Sequence, residues 1–144
     1  MKKYSQLLLG FAVILVGLLG ISSQAHAVTH YVQSSTPTIF VHGWGSSSHA
    51  EEKMANAARD AGVTKTIVRA NVDRKGKVTF NHQIPANAVN PIVEVNLEDN
   101  KLSAYQDDYT QGYHHGGGYV KNVVLALEKQ HHYKQINLVG HSMG

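Results

Sequence analysis

The last five residues of the chain place a serine between two glycines in the pattern Gly-x-Ser-x-Gly, with Ser142 at the centre. The β-prone run at residues 136–139 precedes the motif directly and predicts a strand that leads into it. A serine in such a turn is a nucleophile elbow: its hydroxyl is exposed, and glycines two positions before and after avoid collisions with the backbone. The motif therefore predicts a serine nucleophile for acyl transfer.

A second glycine-containing turn follows another apolar run. Residues 38–41 read as a strand that is buried on both faces, and the sequence His-Gly-Trp-Gly at residues 42–45 breaks it. Two glycines there indicate a backbone that turns sharply or approaches another group closely. His42 and His141 are conceivable proton acceptors, but each belongs to its motif, and we expect both to orient loops.

The elements between the two motifs alternate between strand and helix. Ser48 and Glu51 have the spacing of a capping box, and Gly62 can end the helix that follows. The expected apolar face of that helix consists of Met54, Ala57, Ala58 and Ala61.

Strands are predicted at residues 67–72, 78–80 and 92–97, with a turn at 73–77 and with Glu94 and Asn96 facing outward. Residues 101–115 give no clear pattern, the three glycines at 116–118 suggest flexibility, and a helix is expected from Tyr119 to about His131. Asp107 and Asp108 fall in the unassigned stretch and are expected to form a solvated loop rather than supply catalytic acids. The alternation predicts an α/β fold with a mostly parallel sheet and flanking helices.

The start of the chain has the features of a secretory signal peptide. Lys2 and Lys3 precede an apolar run, and Ala25-His26-Ala27 forms an A-x-A cleavage site. An uncleaved membrane anchor is the alternative, although the run is short for a spanning helix, which needs ~20 residues. We therefore expect a signal peptide at 1–27, a domain at 28–144, and a secreted or cell-surface location.

Charge and composition exclude several classes of partner. The net charge of +3 becomes +1 without the two lysines of the signal, so no footprint for nucleic acid is visible. The chain has no cysteine and hence neither disulfides nor thiolate metal sites. The adjacent histidine pairs at 114–115 and 131–132 do not share a face. No metal and no cofactor are expected, and contact with a membrane is expected only through the signal peptide or by association at the surface.

The chain resembles the N-terminal half of an α/β-hydrolase, most closely the exported cell-surface hydrolase-like family of Gram-positive bacteria. Residues 37–45, the basic hairpin insertion at 72–78 and the stretch 137–144 carry the resemblance, which covers about 36–144. It implies Ser142 as the nucleophile, with the backbone N–H groups of Trp44 and Met143 as oxyanion-hole donors. Trp44 could instead be a packing residue in a turn.

The resemblance also implies an acid and a histidine after the serine, in the order Ser, Asp or Glu, His. Only two residues follow Ser142. We therefore expect a chain truncated at the elbow, lacking both groups and neither stably folded nor active alone. Completed, it would act on a small-molecule or lipid-like acyl ester, thioester or amide. The alternative is a non-catalytic exported remnant or interaction protein. The sequence carries no signal for an oligomeric state.

The signal-peptide interpretation predicts cleavage after Ala27. Mass spectrometry of the exported protein should find Val28 as its N-terminus, because signal peptidase cuts after a small-residue site of this kind. Membrane-bound protein that retains Met1 would contradict the prediction.

Overall fold

Five strands form one sheet in the computed structural model, which describes residues 30–100 and 108–144. The strands are β1 (Thr38–Val41), β2 (Ile67–Val72), β3 (Val78–Phe80), β4 (Ile92–Leu97) and β5 (Asn137–Gly140). Their order across the sheet is β3-β2-β4-β1-β5, and every neighbouring pair is parallel except β2–β3. The predicted α/β class and mostly parallel sheet are confirmed. The predicted signal peptide, the start of the domain at Val28, and Asp107 lie outside the described residues.

Helices cover the sheet on both faces. A 3-10 turn (Ser48–Ala50) and helix α1 (Glu52–Asp60) lie on one face, where Ala55 packs with Phe40 and Ile92. Helix α2 (Tyr109–His131) lies on the other, where its residues join the larger core cluster that contains Ile39. Successive strand residues point to opposite faces, so Ile39 and Phe40 belong to different cores. Within the described ranges, neither helix is both long and apolar enough to cross a membrane.

Helix α1 is present, but its predicted cap and buried face were wrong. Ser48 lies in the 3-10 turn, and neither it nor Glu51 caps the helix with its side chain. Ala55 is fully buried, whereas Met54 is 45% exposed. Alanine recurs along this helix, so the apolar stripe had no unique position in the sequence, and packing against Phe40 selected Ala55. Gly62 ends the helix with a φ of +77°, as expected.

Helix α2 begins ten residues earlier than predicted and includes the three glycines thought to be flexible. The carboxylate of Asp108 accepts a hydrogen bond from the Gln111 N–H at 3.0 Å and caps the first turn. Asp108 is therefore a helix cap rather than part of a loop. Burial of Tyr119, Val123 and Leu127 anchors the helix to the sheet. This tertiary packing offsets the helix propensity lost at glycine, about 1 kcal/mol per residue relative to alanine.

The basic hairpin joins β2 and β3 as predicted. The Asp73 carboxylate accepts hydrogen bonds from the backbone N–H groups of Lys77 and Lys75, which lower the pKa of Asp73. Its tip rests on α2, where the Asn122 amide donates to the Gly76 carbonyl at 2.9 Å. The hairpin is thus a docked structural element.

Polar side chains of β2 and β4 lie beneath α1, although Glu94 and Asn96 were expected to face outward. Glu94 is only 5% exposed. Its Oε2 lies 3.9 Å from the guanidinium of Arg69, which also pairs with Glu52 at 2.7 Å. Asn96 is half-buried, and its side-chain oxygen accepts a hydrogen bond from the Ser48 N–H. The alternation along β4 was predicted correctly, but α1 and the 3-10 turn cover this face.

We expect Glu94→Gln to change how stability depends on pH. Burial raises the pKa of Glu94, and the charge of Arg69 offsets this only in part. The folded chain therefore retains this proton to higher pH than the unfolded chain does, and ionisation of Glu94 lowers the free energy of unfolding as the pH rises through its raised pKa. The gain in unfolding free energy from Glu94→Gln should grow as the pH rises above about 4, the ordinary range of a glutamate pKa.

Urea denaturation of the protein, completed by the C-terminal part that the sequence lacks, tests the prediction at a series of pH values above about 4. Glu98→Gln is the matched control, because Glu98 is exposed just beyond the end of the same strand. An equal pH dependence in both variants would contradict the prediction.

Candidate active site

The two glycine motifs meet at one edge of the sheet. Strands β1 and β5 are adjacent and parallel, with Val41 opposite Gly140, so the turns that follow them emerge side by side. The His141 N–H donates to the Val41 carbonyl at 3.1 Å and ties the second turn to the end of β1. A Cβ added to Gly43 would lie 2.9 Å from the Cβ of Ser142. The first turn therefore packs directly against the serine.

Ser142 has the strained backbone that the elbow motif predicts. Its φ is +58°, in the left-handed region that non-glycine residues seldom occupy, and the Gly144 N–H closes the turn onto the His141 carbonyl at 3.0 Å. A Cβ on Gly140 would collide with the backbone of Gly144, and a Cβ on Gly144 would collide with the Val41 carbonyl. Both motif glycines are therefore required by direct backbone contact.

Two backbone donors beside Ser142 are left open. Among the described residues, no acceptor pairs with the N–H of Trp44 or of Met143. The neighbouring groups are engaged: the Gly45 N–H donates to the Asn100 carbonyl, and the Ser46 N–H donates to the Gly43 carbonyl. The loop is thus held at both sides of Trp44 while its own N–H stays available to a ligand.

His42 anchors this loop. Its ring is 2% exposed, and the Leu97 N–H donates to Nε2 at 3.2 Å. A backbone N–H can only donate, so Nε2 carries no proton and the proton resides on Nδ1, which donates to the Gly43 carbonyl at 3.0 Å. Asn100 reinforces the loop by donating to the carbonyls of Gly43 and Ser46. With both ring nitrogens engaged, His42 orients the loop.

His141 lies on the side of the elbow that faces α1. Its ring is 63% exposed, and Nδ1 lies 3.2 Å from Oε1 of Glu51, a buried carboxylate next to the start of α1. Oε1 accepts no hydrogen bond from the described residues, so the contact is an ion pair when the imidazole is protonated. In the described ranges, no histidine or carboxylate forms a hydrogen bond with the Ser142 hydroxyl.

A cavity of about 490 Å³ opens on the other side of Ser142. Its walls come from the ends of three strands, from the first loop and from α2. The apolar and aromatic side chains that line it include Val41, Leu97, Val120, Leu138, Trp44 and Tyr113. The Trp44 ring also packs against Tyr109 at a centroid distance of 5.9 Å. Trp44 therefore combines the packing role that the sequence left open with an available N–H.

The histidine pairs do not form a metal centre in the described part of the chain. His114 and His115 lie within α2, and His131 and His132 lie at its C-terminal end. No group of three or more metal-ligating side chains occurs in residues 30–100 and 108–144.

The family of the chain follows from a family model described as alpha/beta hydrolase of unknown function (DUF915), which matches residues 25–144. The chain belongs to this α/β-hydrolase family, and the resemblance inferred from the sequence is confirmed. No curated protein matches the chain.

Two solved structures share the fold. The product of the gene lin2722 from Listeria innocua is 24% identical with a TM-score of 0.61, over 77% of this chain and 41% of its own. A candidate cell surface hydrolase from Lactobacillus plantarum is 18% identical with a TM-score of 0.61, over 76% of this chain and 42% of its own. The chain thus spans about two fifths of the length of these relatives.

Two residues of the site were missed in the sequence. Asn100 follows β4 in an ordinary polar loop, and its role becomes visible only when β4 lies next to β1. Glu51 was assigned to a helix cap, whereas its carboxylate is buried beside His141. Neither residue belongs to the two glycine motifs, so only the arrangement of the strands and of α1 could have indicated a place in the site.

Gly43→Ala should destabilise the protein. Its new methyl group would lie 2.9 Å from the Ser142 Cβ and 3.1 Å from the His141 carbonyl oxygen, both parts of a turn that cannot relax freely. We expect a loss of about 1–3 kcal/mol in the free energy of unfolding, as for other overpacked sites. Gly118→Ala is the matched control, since a Cβ there meets nothing within 4 Å and favours the helix. Denaturant titration should give opposite signs, and a Gly43→Ala variant as stable as the parent would refute the contact.

Proposed function

We propose that the protein is a serine hydrolase that cleaves acyl esters, thioesters or amides, with Ser142 as the nucleophile. The observation that carries the proposal is the strained Ser142 turn, packed against a loop that presents an open N–H. Membership of an α/β-hydrolase family supports the same reaction class.

Each group has a defined role in the proposed reaction. The Ser142 oxygen attacks the carbonyl carbon of the substrate, and the carbonyl oxygen becomes an oxyanion. The N–H groups of Trp44 and Met143 donate to that oxyanion, and because they are fixed beforehand, they stabilise the charge without reorganisation. His42 and Asn100 hold the Trp44 loop in place.

The proposed reaction also needs a base for the Ser142 proton and an acid that orients this base. The described residues offer neither at Ser142. In the α/β-hydrolase order both follow the serine, so we propose that they belong to the part of the relatives that this chain does not span. The chain alone would then be inactive, as the sequence analysis expects.

We also propose a secreted or cell-surface location. The basic and apolar start of the chain supports export, and one structural relative is described as a candidate cell surface hydrolase.

A fluorophosphonate probe tests the nucleophile. In protein completed by the C-terminal part that the relatives carry, the probe should label Ser142, and Ser142→Ala should abolish labelling and lower ester turnover by about 10⁶-fold, the loss seen when a hydrolase nucleophile is removed. Ser35→Ala is the control, because Ser35 is exposed and lies outside both motifs. Turnover that survives in Ser142→Ala would favour a non-catalytic role for this elbow.

A further inference from the structure

We propose that the cavity beside Ser142 is an acyl-binding pocket whose capacity is set by Gly116 on α2. Its substrate class is esters of apolar acyl groups longer than acetyl. The inference rests on the proposed function for the reaction, but the pocket itself can be tested by binding alone.

The size and lining of the cavity favour an apolar occupant. Its volume of about 490 Å³ is roughly three times the ~150 Å³ of a cavity that accommodates benzene. The polar side chains of His42 and Asn100 at its wall are already engaged in holding the loop. The Asp99 carboxylate, which accepts a hydrogen bond from the Tyr119 hydroxyl, repels an anionic group. Burial of methylene groups against the remaining apolar wall is favourable.

Helix α2 presents glycine to this cavity. Gly112, Gly116 and Gly117 line it, and Gly112 and Gly116 lie one turn apart on the helix face that also carries Val120. A Cβ added to Gly116 or Gly117 would meet no atom within 4 Å. Glycine within a helix often permits close packing of a neighbouring element, but no described element packs here. Because glycine has no side chain, these positions leave open volume in the cavity that Ser142 also lines.

The cost of these glycines supports a functional reason for them. Each lowers helix stability by about 1 kcal/mol relative to alanine. A Cβ at Gly116 would meet no atom of the described residues within 4 Å, so no packing contact there explains the glycine. A larger residue would extend directly into the cavity and shorten the acyl group that it can hold.

The experiment compares p-nitrophenyl esters from acetate to dodecanoate on protein completed by the C-terminal part that the relatives carry. The parent should show a kcat/KM that rises about 4-fold per methylene until the cavity is filled. Gly116→Leu should lower the ratio of dodecanoate to acetate turnover at least ~10-fold, because the pocket loses several methylene groups of space. Gly118→Leu is the matched control: it lies on the same helix, has the same free space and does not line the cavity. Its chain-length profile should equal that of the parent.

A binding arm separates the pocket from the chemistry. Methyl octanoate, a neutral ester that the alanine variant cannot cleave, should bind to Ser142→Ala protein in calorimetry, and adding Gly116→Leu should weaken this binding at least ~10-fold, whereas Gly118→Leu should not. If esters are not cleaved but binding still depends on Gly116, the proposed reaction fails and the pocket stands. If methyl octanoate does not bind, if the parent prefers the acetate ester, or if both leucine variants behave alike, the pocket inference is overturned.

Discussion

The parallel pairing of β1 with β5 is the interaction on which the candidate site depends. It places Val41 opposite Gly140, so the His-Gly loop and the serine turn leave the sheet together. If β5 shifted by one residue relative to β1, each of its side chains would move to the other face of the sheet, and Leu138 would leave the cavity wall. The His141 N–H bond to the Val41 carbonyl fixes this register at its functional end.

The site is held by backbone contacts rather than by charge. A non-glycine residue in the left-handed region costs of the order of 1–3 kcal/mol, so the conformation of Ser142 persists only where its surroundings enforce it. Gly43, Gly140 and Gly144 allow the surrounding backbone to approach that closely. The buried ring of His42 then holds the adjoining loop by joining the Gly43 carbonyl to the Leu97 N–H of β4.

Features with a local steric cause could be predicted from the sequence, and features set by packing could not. The elbow, the hairpin turn and the parallel sheet follow from residue types at fixed spacing. The burial of Glu94 depends on where α1 lies, and a period of two along a strand cannot reveal what covers each face. The start of α2 was missed because its first ten residues include Gly112 and the three glycines at 116–118. The low helix propensity of glycine argued against a helix that tertiary packing supports.

The two residues at the centre of the elbow, His141 and Ser142, lie towards opposite faces of the sheet. His141 lies towards α1, beside the buried carboxylate of Glu51, on the face that carries the polar side chains of Arg69 and Glu94. Ser142 opens towards α2 and the apolar cavity. Adjacent residues in this turn therefore face different environments, and the histidine next to the serine is poorly placed to accept its proton. Among the described residues, the His141–Glu51 ion pair and the cavity thus lie on opposite sides of the elbow.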